Sequence, residues 1–203
     1  MTDEELLRVI KQASLNGAAT LNLSGRRLTG LPAEIGRLTS LRTLYLQDNQ
    51  LTGLPAEIGR LSELSNLYLF KNQLTSVPPE MGRLVNLENL NLSGNNMDSL
   101  PPQIGRLAKL KSLTLFKNRL AALPPEIGQL ADLRYLTLSG NGLTALPSEI
   151  GRLTSLRTLN LSDNQLTALP AELFRLPKLW SLTLSGNQLN GLSTDIEQLA
   201  DLW

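Results

Sequence analysis

Six glutamates recur at one spacing, Glu34, Glu57, Glu80, Glu126, Glu149 and Glu172, and Gln103 and Asp195 complete the row. Stacked as rungs, their carboxyl groups would lie ~5 Å apart. That is near the separation a retaining glycosidase needs between its acid and its nucleophile. The residues three positions further on argue for a plainer role. They are Arg37, Arg60, Arg83, Arg106, Gln129, Arg152, Arg175 and Gln198, and a spacing of three on a helical turn brings acid and base together. The row reads as a solvated face with balanced charge. The chain has no His and no Cys. Ser-His-Asp and Cys-His nucleophile systems, His/Cys zinc sites and imidazole acid–base chemistry are therefore excluded. No Gly-x-x-x-x-Gly-Lys-Ser/Thr stretch occurs, so the P-loop is missing too. Neither catalysis nor a cofactor is expected.

Recognition is the chemistry that remains. Tyr45, Tyr68 and Tyr135, together with Phe70 and Phe116, fall at alternating positions of short segments with strand periodicity. The matching positions elsewhere hold small polar residues such as Asn22, Asn91, Ser93, Thr137 and Ser139. A chain that is only 4% aromatic has put most of its rings on one outward face. Exposed rings supply binding area at low entropic cost. Lys71, Lys111, Lys117, Arg119 and Arg134 border them, with Asp48 and Glu88 as the nearby acids. Phe-Lys-Asn occurs twice, at 70–72 and 116–118, placing a ring beside a cation each time. At ~4.8 Å per strand, Tyr45 and Tyr68 are direct neighbours, and Tyr45 to Tyr135 spans roughly 19 Å. A helix or extended segment of a partner would fit that span. The competing reading is ring stacking between rungs that only stabilises the sheet. Phe174, Trp180 and Trp203 are expected to pack against the terminal repeats or a following domain.

One repeat must position all of these side chains. A leucine returns every 23 residues, at Leu41, Leu64, Leu87, Leu110, Leu133, Leu156, Leu179 and Leu202. A strict period of this length means one supersecondary unit stacked on itself. In residues 41–63 the unit shows Leu41, Leu44 and Leu46, then Asn49 and Leu51, then Leu54-Pro55, Ile58-Gly59 and Leu61. Leu44 and Leu46 must enter the core while Thr43, Tyr45 and Gln47 face out. Asn49 recurs at Asn72, Asn95, Asn118, Asn141, Asn164 and Asn187. Its side chain can satisfy backbone groups where the chain turns. Proline recurs from Pro32 to Pro170, fixing φ and ending the strand. Glycine recurs at Gly36, Gly59, Gly82, Gly105, Gly128 and Gly151, where it would allow tight packing on the far side.

This pattern resembles the leucine-rich repeat family over about residues 18–203. The Leu-Pro-x-Glu-Ile-Gly flavour is similar to bacterial and intracellular repeats, including those of Roco-type proteins. The resemblance implies an α/β horseshoe solenoid with a parallel β-sheet on its concave side. Residues 1–17 are expected to form a capping helix, 18–201 eight repeats, and 202–203 the start of a ninth. Thr2 and Glu5 fit a capping box, and Leu6, Leu7 and Ile10 make an apolar stripe. The first repeat is irregular, with Ala18 for its opening leucine and Arg26 where Asn is expected. At the far end Phe174 replaces a Gly, Ser193 the Pro and Glu197 another Gly, as terminal repeats do.

Of the 203 residues, 41% are hydrophobic and 18% charged, with net charge +1. That balance gives no basic stripe for nucleic acid, so single-stranded nucleic acid is not the expected ligand. No apolar run approaches the ~20 residues of a membrane span, so no membrane partner is expected. The acidic start, Met1 to Glu5, is unlike a signal peptide, and the lack of Cys gives no disulfide framework. A cytoplasmic location follows as the expectation, with a secreted or surface location open if an export signal was removed. Three Asn-Leu-Ser sequons, at Asn22, Asn91 and Asn160, are by-products of the strand pattern. The expected function is a non-catalytic scaffold binding a protein or peptide on its concave aromatic and basic face. The site residues are Tyr45, Tyr68, Phe70, Lys71, Lys111, Phe116, Lys117, Arg134 and Tyr135. The alternative is a bacterial surface or host-interaction repeat protein, and pairing of two concave faces into a homodimer is a further use of the same patch.

Overall fold

The computed structural model describes residues 1–190. Helix α1 (Asp3–Leu15) is followed by eight three-residue strands. They are β1 (Thr20–Asn22), β2 (Thr43–Tyr45), β3 (Asn66–Tyr68), β4 (Asn89–Asn91), β5 (Ser112–Thr114), β6 (Tyr135–Thr137), β7 (Thr158–Asn160) and β8 (Ser181–Thr183). Each strand is parallel to the next, and the sheet order is the chain order. Register advances by one whole repeat per strand: Leu44 pairs with Leu67, Leu67 with Leu90, and so on to Leu182. Between strands the chain returns through seven short 3₁₀ turns, from Ala33–Arg37 to Ala171–Arg175. The expected parallel solenoid with an N-terminal helical cap is the observed fold.

Leucine columns make the core. In the second repeat Leu41, Leu44, Leu46, Leu51, Ile58 and Leu61 are all 0% exposed. A solenoid rung cannot bury these side chains alone, so the hydrophobic gain exists only between neighbours. Proline precedes each 3₁₀ turn with φ between −73° and −67°, its ring-locked value.

The convex glycines are explained by contact. A Cβ on Gly36 would lie 2.7 Å from the Glu57 carbonyl oxygen, and one on Gly82 2.5 Å from that of Gln103. No side chain fits where one 3₁₀ turn meets the next. The Glu/Arg pairing expected on this face is mostly not made. Among the described residues only Arg60 and Glu57 approach, at 4.0 Å. The other arginines of this row reach into water, where pairing gains little.

The cap follows the expected chemistry with one correction. Thr2 Oγ1 accepts from Glu5 N at 3.2 Å, and Thr2 N donates to Glu5 Oε2 at 2.8 Å. This reciprocal pair satisfies two otherwise orphaned helix donors. The buried stripe is Leu6, Ile10 and Ala13. Leu7 is instead 39% exposed, because it lies one position, about 100°, around the helix from Leu6. At the other end, Ser193, Asp195, Glu197, Gln198, Leu202 and Trp203 lie outside the described residues.

Candidate functional site

Three rows of side chains line the open face of the sheet. The middle row runs Asn22, Tyr45, Tyr68, Asn91, Thr114, Thr137, Asn160, Thr183. Tyr45 and Tyr68 stack there with ring centroids 5.0 Å apart and planes within 8°. The aromatic pairing expected from the spacing is therefore made, and it serves the sheet as well as any ligand. Two residues along, backbone ladder bonds persist beyond the strands: Lys71 N donates to Ser93 O at 2.8 Å and Lys117 N to Ser139 O at 2.9 Å. They hold a second row, Gln47, Phe70, Ser93, Phe116, Ser139, in the same register. Phe70 is half-buried and Phe116 is 37% exposed. The row neighbours of Phe70 carry a mismatch. Gln47 Oε1 and Ser93 Oγ are buried with no hydrogen-bond partner among the described residues, an unusual state for polar atoms.

The cations divide by partner. Lys71 Nζ lies 3.4 Å from Asp48 Oδ1, and Lys111 Nζ 2.7 Å from Glu88 Oε2. Lys117 Nζ sits 5.0 Å from the centroid of the Phe116 ring. Lys117, Arg119 and Arg134 have no carboxylate within 4.0 Å among the described residues. Tyr135 is not in the row of Tyr45. It pairs with Ser112, at the opposite end of the strands. Arg134 and Lys111 directly precede β6 and β5 on that side. The candidate residues thus form two groups on one face. One holds Tyr45, Tyr68, Phe70, Lys71, Phe116 and Lys117; the other holds Lys111, Arg134 and Tyr135.

The fold and these repeats meet a decisive comparison in sequence. A family model described as "Leucine-rich repeat region" matches residues 19–92 and 124–203, and a second, "Leucine Rich Repeat", matches 86–107. The chain is a leucine-rich-repeat protein. A search of curated proteins gave no match. Among solved structures, it is similar to a leucine-rich-repeat protein of Leptospira interrogans. The two share 33% identity over 95% of this chain, with TM-score 0.71. It spans 61% of the length of that protein. The leucine-rich repeat domain of the type III effector XopL is 30% identical over 97% of this chain and 78% of its own, with TM-score 0.83. The plant peptide hormone receptor RGFR1, solved in complex with RGF2, is 29% identical over 86% of this chain and 33% of its own, with TM-score 0.66.

One feature of this leucine-rich-repeat face escaped the reading of its sequence. It is a backbone column. Gly25, Asp48, Lys71, Gly94, Lys117, Gly140, Asp163 and Gly186 all have φ between 53° and 70°. Only Gly is unstrained there, and Asn and Asp are tolerated. Lys71 and Lys117 break the pattern at φ 55° and 53°, each directly after a phenylalanine. The signal was available, since four glycines share one place in the repeat. Trp180 is 50% exposed, immediately before β8 and one repeat beyond Arg157, so the described repeats leave half of it uncovered. Phe174 does pack as expected, at 4% exposed.

The left-handed column gives a stability expectation. A non-glycine residue in this region costs on the order of 1–2 kcal/mol, and Asn tolerates it better than Lys. Lys71→Asn forfeits only an exposed ion pair of small worth, so the variant should gain about 0.5 kcal/mol. Lys117→Asn instead loses its contact with the Phe116 ring, which at about 0.5–1 kcal/mol is worth more than an exposed ion pair, and should be near neutral. Urea denaturation midpoints measure both, and a clear drop at Lys71→Asn would mean that the column carries no strain.

Among the described residues no helix is long and apolar enough to cross a membrane. No group of three His, Cys, Asp or Glu side chains there could hold a metal ion.

Proposed function

We propose that this leucine-rich-repeat chain is a non-catalytic recognition module that binds a protein or peptide segment on its concave face. The carrying observation is the composition of that face. Tyr45, Tyr68 and Phe70 lie on two adjacent rungs and Phe116 two rungs further on, while the same rows elsewhere hold Asn, Ser, Thr and Gln47. Clustered rings bordered by cations suit a ligand with apolar and acidic character. The plant receptor RGFR1 gives fold-level support, since a peptide hormone receptor is built on the same architecture. Fold alone does not carry function, so the argument rests on the rings. The Leu-Pro-x-Glu-Ile-Gly flavour supports kinship with Roco-type repeats, where the module would position domains attached to it.

The test is selection from a random twelve-residue peptide display library, then binding of the selected peptides to a Tyr68→Ala/Phe70→Ala variant. Binding should weaken by about a hundredfold, since two hot-spot rings are removed. Unchanged affinity in the folded variant would sink the reading. Light scattering over a concentration series on the same two proteins tests the homodimer. If wild type dimerises and the variant does not, the face is used for self-association.

A further inference from the structure

The two Phe-Lys pairs carry more than a general stickiness. On five consecutive rungs the left-handed column reads Asp48, Lys71, Gly94, Lys117, Gly140. Lysine appears only where phenylalanine precedes it, and both times at a backbone position that disfavours lysine. Each lysine stem lies beside a glycine of the next rung. A Cβ on Gly94 would sit 3.7 Å from Lys71 Cγ, and one on Gly140 3.4 Å from Lys117 Cγ. Small residues thus make room for two ring-and-cation prongs, with Ser93 and Gly94 as a low saddle between them. Among the described residues the ammonium of Lys71 meets only the exposed Asp48, and that of Lys117 only the Phe116 ring. Ligand carboxylates can replace contacts as weak as these.

Spacing then selects the ligand's conformation. The prongs are two rungs apart, ~9.6 Å at the sheet spacing, and side-chain tips on a concave face converge to somewhat less. In a β-strand, residues on one face recur at ~6.8 Å and ~13.6 Å, and neither fits. On an α-helix the seventh residue returns to the same face at ~10.5 Å, too wide for a narrowing face. A polyproline II segment returns every third residue, at ~9.3 Å. Its proline rings also suit aromatic grooves.

We infer that, on the concave-face reading above, the occupant is an acidic, proline-rich segment in the polyproline II conformation. Its carboxylates at i and i+3 meet Lys71 and Lys117, and its two intervening residues cross the Ser93–Gly94 saddle between Phe70 and Phe116.

Fluorescence anisotropy with labelled synthetic peptides tests this. The probe has a Glu-Pro-Pro-Glu core; the controls have one or three prolines between the glutamates, or glutamines in their place. The matched peptide should bind about tenfold more tightly than any control. Lys71→Asn and Lys117→Asn should each remove about tenfold from that peptide alone, while both variants stay folded by thermal melt. Equal affinity for all spacings, indifference to either lysine variant, or no binding of the matched peptide at about 1 mM overturns the inference. If display selection yields face-dependent peptides without a paired acid, this inference falls and the concave-face reading stands. If selected peptides ignore Tyr68→Ala/Phe70→Ala, both fall.

Discussion

Asn118→Ala should lower the stability of the protein by about 2–4 kcal/mol. The side chain lies inside the turn after β5 and is 9% exposed. Its Nδ2 donates to Leu92 O and Leu115 O, both at 3.0 Å, and its Oδ1 accepts from Met97 N at 3.1 Å. Alanine leaves the three groups unequally served. Leu92 O keeps Asn95 Nδ2 at 2.8 Å and Leu115 O keeps Asn141 Nδ2 at 3.0 Å. Met97 N loses its side-chain acceptor and is left buried, which dominates the cost. Asn141→Ala is the internal comparison. Its bonds are only partly buried, so water can replace them, and the loss should be about half as large. Urea denaturation gives both values. A change under about 0.5 kcal/mol at Asn118 would mean that the ladder is decorative.

Gly82→Ala should cost a comparable amount, about 3 kcal/mol, through overpacking instead of lost hydrogen bonds. The new Cβ would lie 2.5 Å from Gln103 O and 2.9 Å from Gln103 Cβ. The first contact is with backbone, so no rotamer change relieves it, and the two convex turns must separate. Because each repeat touches only its neighbours, the damage falls on one junction. The expected thermal transition is lower and broader, as the two halves uncouple. Gly53→Ala is the control: nothing lies within 4 Å of its added Cβ, and its midpoint should move by less than about 0.5 kcal/mol equivalent. Equal behaviour of the two variants would remove close packing as the reason for the convex glycines.

Legibility in the sequence followed how directly each feature is tied to the period. The strands were readable because the positions of Leu44 and Leu46 alternate with those of Thr43 and Tyr45 in copy after copy, whereas their parallel pairing came from the family resemblance. The Asn ladder was readable because one residue type with one chemistry recurs. The ring stack of Tyr45 and Tyr68 follows from their being one full period apart. Tyr135 is two residues short of four periods from Tyr45, so alternation assigned its face but not its row. The left-handed column was hidden for another reason. Backbone φ leaves a trace only where glycine is chosen, and Lys71 and Lys117 mask that trace where it matters most. The Glu/Arg pairs misled because a spacing of three permits contact without rewarding it in water.

The sameness of the junctions has a consequence for how such a chain can change over generations. The internal rungs meet through matching apolar side chains, asparagine and glycine in the same register. A recombination event that copies or deletes one whole 23-residue cassette, the offset seen between stacked asparagines such as Asn66 and Asn89, rejoins compatible surfaces. Point substitutions alter what a rung says, whereas cassette number alters how far apart two rungs stand, in steps of ~4.8 Å. One extra cassette between the Phe70 and Phe116 rungs would retune the face to a longer ligand repeat without disturbing a single core contact type.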